Sequence, residues 1–169
     1  MASDFLLVQN VSASTKQWVF TLHLFDQTMV GKVDNVSYEL MEIIADARVN
    51  LIGKEMNANS ITYYLGGSVD SLNKVRYKVE KRYPQASITG RMVALISAIG
   101  SQIDTNKTLA KGVFALMNRD VTPIALHSSM RNVNVQFVVS DDEYKEAICA
   151  LHEEFFEQDN NANKSVNVA

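Results

Sequence analysis

An α+β fold built twice from one plan is what this 169-residue sequence predicts, and three features carry that expectation. Alternating apolar and polar residues mark strands, and apolar residues at helical spacing mark amphipathic helices between them. The pattern also repeats at a fixed offset. Val19 and Val93 open two strands, Leu65 and Val139 close two others, and 93 − 19 and 139 − 65 both give 74.

The elements follow in order. Val19 to Phe25 sets Phe20, Leu22 and Leu24 against Thr21 and His23, the period-2 pattern of a half-buried strand. After the polar loop Asp26-Gln27-Thr28-Met29-Val30-Gly31, residues Val33, Val36, Leu40, Ile43 and Ile44 predict a helix over Val33 to Ala47. Strands at Val49 to Met56 and Ile61 to Leu65 are joined by Asn57-Ala58-Asn59, a turn suited to left-handed backbone angles. Ser68 is a good N-cap for a helix with Val69, Leu72, Val75, Val79 and Tyr83 on one stripe, ended by Pro84. A short strand from Ala86 to Thr89 completes the first copy.

The second copy begins with a separate buried strand, Val93 to Ile99. A helix presenting Leu109, Val113, Leu116 and Met117 follows, then strands at Ile124 to Leu126 and Val133 to Val139, the latter setting Val135 and Phe137 against Gln136 and Val138. Tyr144, Ile148, Leu151 and Phe155 mark a last helix, with Asp141-Asp142 favourable at its N-terminus. Each copy therefore reads βαββα closed by a further strand, the ferredoxin-like βαββαβ plan. The expected domains are 1–91 and 92–158, with 159–169 as a flexible end. The segment before Val19, including Phe5 to Val8, is free to join either sheet.

Composition excludes several functions. With Lys+Arg 16 against Asp+Glu 19 the net charge is −3, which offers no basic surplus for nucleic acid. The sequence holds no apolar run of the ~20 residues a membrane span requires and no signal-peptide pattern, so a cytoplasmic protein is expected. The one cysteine, Cys149, rules out an internal disulfide or a cysteine-rich zinc site, and is expected as a small buried hydrophobe. His23, His127 and His152 lack metal-ligand spacing, and neither a Walker loop nor a hydrolase-type serine turn is present. No catalytic residue and no metal site is expected. The strand-to-helix loops carry more. Each leads into a helix N-terminus, whose unpaired N–H groups favour an anion such as the carboxylate of a free amino acid. Asp26 and Asn50 suit that ligand's ammonium group, although Asp26 and Gln27 equally suit a solvated loop.

Val93 to Gly100, Lys111 to Leu116, Ile124 to Val139 and Ala150 to Phe156 together resemble the C-terminal regulatory region of aspartate kinases, with matching order and spacing over Val19 to Phe156. Ser128-Ser129, Asn134 and Phe137-Val138-Val139 carry the most recognisable string. The resemblance implies two ACT domains in tandem, which bind amino-acid effectors, lysine or threonine in this family. It further implies pairing into a homodimer through those domains and control of the protein's own kinase domain. That enzyme phosphorylates the side-chain carboxylate of aspartate, the first step towards lysine, threonine, methionine and in some cases ectoine. ATP and Mg belong to the kinase domain, whose Lys-Phe-Gly-Gly-Thr type of motif does not occur here. The chain is therefore expected to be a regulatory fragment without a cofactor of its own.

The effector residues implied are Asp26, Gln27, Thr28, Met29, Val30, Gly31, Asn50, Ser128, Ser129 and Asn134. Two departures stand out. The first loop lacks the family's proline and is longer, and Asn50 replaces an aspartate, removing the charge that an effector ammonium would meet. In the second copy Pro123 removes a backbone donor. Leu24 to Gly31, Asn57 to Thr62 and Leu126 to Arg131 resemble most the aspartate kinases associated with ectoine synthesis. A free-standing ACT protein that senses amino acids for another enzyme is the alternative.

Overall fold

The computed structural model describes residues 8–13, 19–100, 103–128 and 132–157. The chain forms two compact units, one of them Lys16–Val93 and the other combining the chain before Lys16 with that from Ala94 onward. Both are α+β with the ferredoxin-like strand order. The first strand, β1 (Val8–Ala13), belongs to the second unit.

In the first unit the elements are β2 (Val19–Phe25), α1 (Val33–Asp46), β3 (Asn50–Met56), β4 (Ser60–Gly66), α2 (Val69–Arg82) and the first half of β5 (Ser87–Gly100). The sheet order is β3-β4-β2-β5, all antiparallel, with Phe25 opposite both Ser60 and Ser87 and Val19 opposite both Gly66 and Val93. Leu22, Leu24, Leu40, Ile61, Tyr63, Leu65, Val75 and Val79 form the core, as the alternation in β2 and the stripes on α1 and α2 require. Ser68 caps α2 by accepting from Ser71 N (3.2 Å). The Asn57–Asn59 turn closes through Asn57 N donating to Ser60 O (2.9 Å), without the left-handed angles expected of it.

β5 is a correction to the sequence reading. The stretches Ala86 to Thr89 and Val93 to Ile99 are one continuous strand, and Gly90 is paired within it opposite Leu22. Gly90 is there because the Phe20 ring lies over it: a Cβ would stand 2.1 Å from Phe20 Cζ. This is close aromatic approach in a strand rather than a break.

The second unit takes β5 from Ala94, then α3 (Thr105–Met117), β6 (Ala125–Ser128), β7 (Asn134–Ser140) and α4 (Tyr144–His152), with β1 as its remaining strand. The order is β1-β5-β7-β6, and β1 runs antiparallel to β5 with Ala13 opposite Ile96. The segment before Val19 thus closes the second copy, and the division of the chain falls between Val93 and Ala94. Ile96, Ile103, Leu116, Val135, Phe137, Val139 and Leu151 are its core.

Three local expectations change here. Met117 is exposed rather than on the buried stripe, and Val138 is fully buried although it faces away from Phe137, so β7 is covered on both faces. Cys149 is exposed on α4 rather than buried. The 159–169 end, Phe5 and Ser129 lie outside the described residues.

The duplication shows in the hydrogen bonds. Asp26 N donates to Asn59 O (3.1 Å), and at the same offset Gly100 N donates to Val133 O (3.0 Å). Tyr63 and Phe137 are likewise counterparts, each a fully buried ring beneath the first helix of its unit. Above Tyr63 stands Ser37. Lys54 Nζ donates to Ser37 Oγ (3.0 Å), Ser37 Oγ lies 3.2 Å from the Tyr63 hydroxyl, and that hydroxyl donates to Ser37 O (3.1 Å). Above Phe137 stands Gly112, with no side chain at all.

Candidate functional site

The first loop is built from its ends inward. β2 delivers Asp26, whose extended backbone (φ −151°, ψ 124°) caps a single 3-10 turn over Gln27–Met29. Asp26 Oδ1 accepts from Thr28 N and from Thr28 Oγ1, both at 2.7 Å. The hydroxyl bond, then the amide bond, hold the Asp26 carboxyl below its ordinary value. Met29 turns inward and is only 3% exposed, joining the core. It fixes the loop instead of facing a ligand. Val30 is exposed, and Gly31 adopts φ 77° with open space where a side chain would be. A left-handed residue here reverses the chain into α1, which glycine does without strain.

The start of α1 is unusual. Its N-cap is Lys32, whose side chain makes no cap hydrogen bond. Lys32 N donates to Met29 O (2.8 Å) and Asn35 N to Lys32 O (3.1 Å), so the amides of Val33 and Asp34 are the ones left to solvent or to a bound anion. Asp26 precedes this end and Asp34 lies in the first turn, so acidic groups stand by for a ligand's cationic part. An uncapped helix start with carboxylates nearby has the polarity of a zwitterion.

The second loop differs at this point. Asp104 caps α3, its Oδ1 accepting from Lys107 N (3.0 Å) while Oδ2 lies 3.4 Å from Lys107 Nζ. Thr108 Oγ1 donates to Asp104 O (2.8 Å). The Lys107 amide, foremost, depresses the Asp104 carboxyl. The chain's own carboxylate fills the anion position at this helix start. Sequence reasoning passed over Asp104, although Asp three residues before an amide it can cap is a recognisable N-cap signal.

The remaining predicted residues are separated. Asn50 pairs with Gly66, at the end of the sheet where Val19 lies, whereas Asp26 follows Phe25 at the other end. A strand of seven residues puts about 20 Å between those ends, so the first unit does not bring Asn50 to Asp26. Ser128 ends β6 exposed to solvent, and Asn134 opens β7 half-buried. They flank the hairpin whose Asn132 O accepts from Ile103 N (2.9 Å), beside the self-capped loop. Among the described residues no cluster of His, Cys, Asp or Glu could hold a metal ion, and no helix is long and apolar enough to cross a membrane.

Asp26 and Asp104 share a pH signature. Each has a folded-state value below the ordinary 3.8, so each contributes stability that is complete above that value and is lost as pH falls through the lower folded value. Asn caps helices as well as Asp does but does not titrate. Asp104→Asn is therefore expected to melt like the parent at pH 7 and to lose less stability on acidification below pH 3.8. Thermal melts across that window check it, and an unchanged acid slope would show that the cap bond contributes nothing.

No protein-family model matches the chain. In sequence it is 37% identical over 142 residues to the aspartate kinase Ask_Ect of Stutzerimonas stutzeri (strain A1501), a match covering 84% of this chain and 30% of that kinase. The chain thus spans less than a third of that relative's length. Its fold is that of an aspartate kinase from Clostridium acetobutylicum (TM-score 0.75, 14% identity, 88% of this chain and 35% of that one). It is equally that of the regulatory subunit of aspartate kinase from Thermus flavus (TM-score 0.71, 12% identity, 88% of this chain and 98% of that one). E. coli aspartokinase III in complex with lysine and aspartate also shares it (TM-score 0.67, 17% identity, 89% and 33%). A sequence match along most of the chain and a fold shared over 88% of it with nearly all of a regulatory subunit lead to one result: this chain resembles the paired ACT domains that regulate aspartate kinases, and its relative in sequence is of the ectoine-associated type.

Proposed function

We propose that the chain is the allosteric region of an aspartate kinase and that it senses a free amino acid through its first unit, at Asp26 to Lys32. The difference between the two helix starts carries this reading. α1 leaves its first-turn amides without a side-chain cap, while Asp104 fills the equivalent place on α3. The effector's carboxylate would meet the α1 amides and its ammonium the Asp26 or Asp34 carboxylate. Ser128 and Asn134 flank the hairpin beside the occupied loop and play no part in that contact. The catalytic steps, with ATP and Mg, belong to a kinase domain beyond these residues, which the effector would control by binding one of its arrangements better than the other. Such coupling is typically ~1–3 kcal/mol. A homodimer through the ACT domains completes the proposal, since β3 is the outer strand of its sheet and exposes Leu51, Ile52 and Met56.

Asn50, at the far end of the sheet from this loop, takes no part in that contact. Titration calorimetry with lysine, threonine, the other amino acids and ectoine tests the sensing role. An absence of heat with every ligand would overturn the sensing role.

A further inference from the structure

The second unit is discontinuous in sequence. β1 pairs with β5 from Val8 opposite Gly100 to Ala13 opposite Ile96, and the rest of the unit starts only at Ala94. Everything between is the first unit, which is continuous and supplies all six of its own elements. The first unit is an insertion, and only its folded state keeps the two pieces of the second close along the chain.

From this connectivity we infer that the two units stabilise each other through loop closure, by the same factor in each direction. Unfolding the first unit turns about 80 residues into a flexible loop that must close before β1 can reach β5. Loop closure weakens as roughly the 3/2 power of length, so relative to a connection of about five residues β1 docking falls roughly fifty-fold. The same closure acts in reverse: with β1 held on β5 an unfolded first unit is a loop tied at both ends, so its unfolded state loses freedom and its folded state gains the same factor. A ligand that stabilises either unit therefore also stabilises the other. The connectivity alone sets this coupling, independently of which ligand the first loop takes.

Hydrogen exchange followed by mass spectrometry on the full chain tests this, in a Cys149→Ala background. Leu22 is fully buried in the first core, so Leu22→Asp unfolds the first unit, and protection of β7 and α4 is expected to fall roughly fifty-fold as the loop opens. Ser12 and Ser97 are Cα partners in β1 and β5. Facing residues in antiparallel strands lie about 4.5–5.5 Å apart at Cα, within disulfide reach. Adding Ser12→Cys and Ser97→Cys to the Leu22→Asp chain is expected to restore that protection on oxidation and to lose it again on reduction. Leu151→Asp, in the second core, is expected to lower the protection of β4 and α2 by a similar factor, as linkage requires. Unaltered protection of β7 and α4 in Leu22→Asp, a loss that oxidation does not reverse, or unaltered protection of β4 and α2 in Leu151→Asp would each overturn the inference.

Discussion

Gly112→Ala is expected to destabilise the second unit, against the ordinary sign of that substitution in a helix. Alanine is better than glycine inside a helix by about 1 kcal/mol. Here the added Cβ would stand 2.2 Å from Phe137 Cζ and 2.6 Å from Cε1, well inside contact distance. The ring cannot step aside. Phe137 is fully buried among Ile96, Leu116, Val135 and Val139, and overpacking of a filled core costs typically about 1–3 kcal/mol. Against the helical gain of about 1 kcal/mol this leaves a net loss of up to about 2 kcal/mol for alanine and more for valine. Denaturant melts should show it, with Gly112→Ala/Phe137→Leu recovering much of the loss because the shorter side chain vacates the space. Gly112→Ala melting at or above the parent would mean that α3 rides higher over the sheet than the structure places it.

Lys32→Asp is expected to abolish effector binding while leaving the first unit at least as stable. An aspartate at the N-cap bonds a first-turn amide of α1 and complements the helix dipole. It thereby does for α1 what Asp104 does for α3, and removes the donors proposed for the effector's carboxylate. Hydrogen bonds to a charged group contribute about 1.5–3 kcal/mol, so affinity should fall roughly ten- to a hundredfold. Lys32→Ser separates capping from charge: a neutral cap should also weaken binding, though less. Calorimetry with whichever amino acid the parent binds reads both variants. Retained affinity in both would move the carboxylate site away from the α1 terminus.

Much of this was legible from local chemistry. Phe20, Leu22 and Leu24 alternating with Thr21 and His23 gave β2 to the residue, and Ser68 marked the start of α2. The 74-residue offset, visible in Val19 and Val93 and in Leu65 and Val139, reappears as the matched amide bonds at Asp26 and Gly100. What was missed depended on partners distant in sequence. Ala86 to Thr89 and Val93 to Ile99 read as two strands until Phe20, seventy positions before Gly90, is laid over that glycine. β1 could have joined either sheet, because strand pairing is decided by register and not by composition. Val138 sits at an outward position in β7, yet it is fully buried on the face opposite Phe137. Asn50 and Asp26 looked like neighbours because both border the same helix in sequence, but α1 carries the chain back across the unit between them.

The pairing of β1 with β5 has a consequence for how the protein is made. β1 leaves the ribosome before the rest of its sheet, and its partner residues 96–100 follow more than 80 positions later. At about 5–20 residues per second this is a wait of roughly 4–17 s. The inserted unit has every strand it needs by residue 93 and can complete its fold during that interval, while the leading strand has nothing in its own sheet to hold. Nascent chains halted shortly after residue 93 should therefore present an unpaired leading segment that chaperones bind, and chains halted after residue 157 should not.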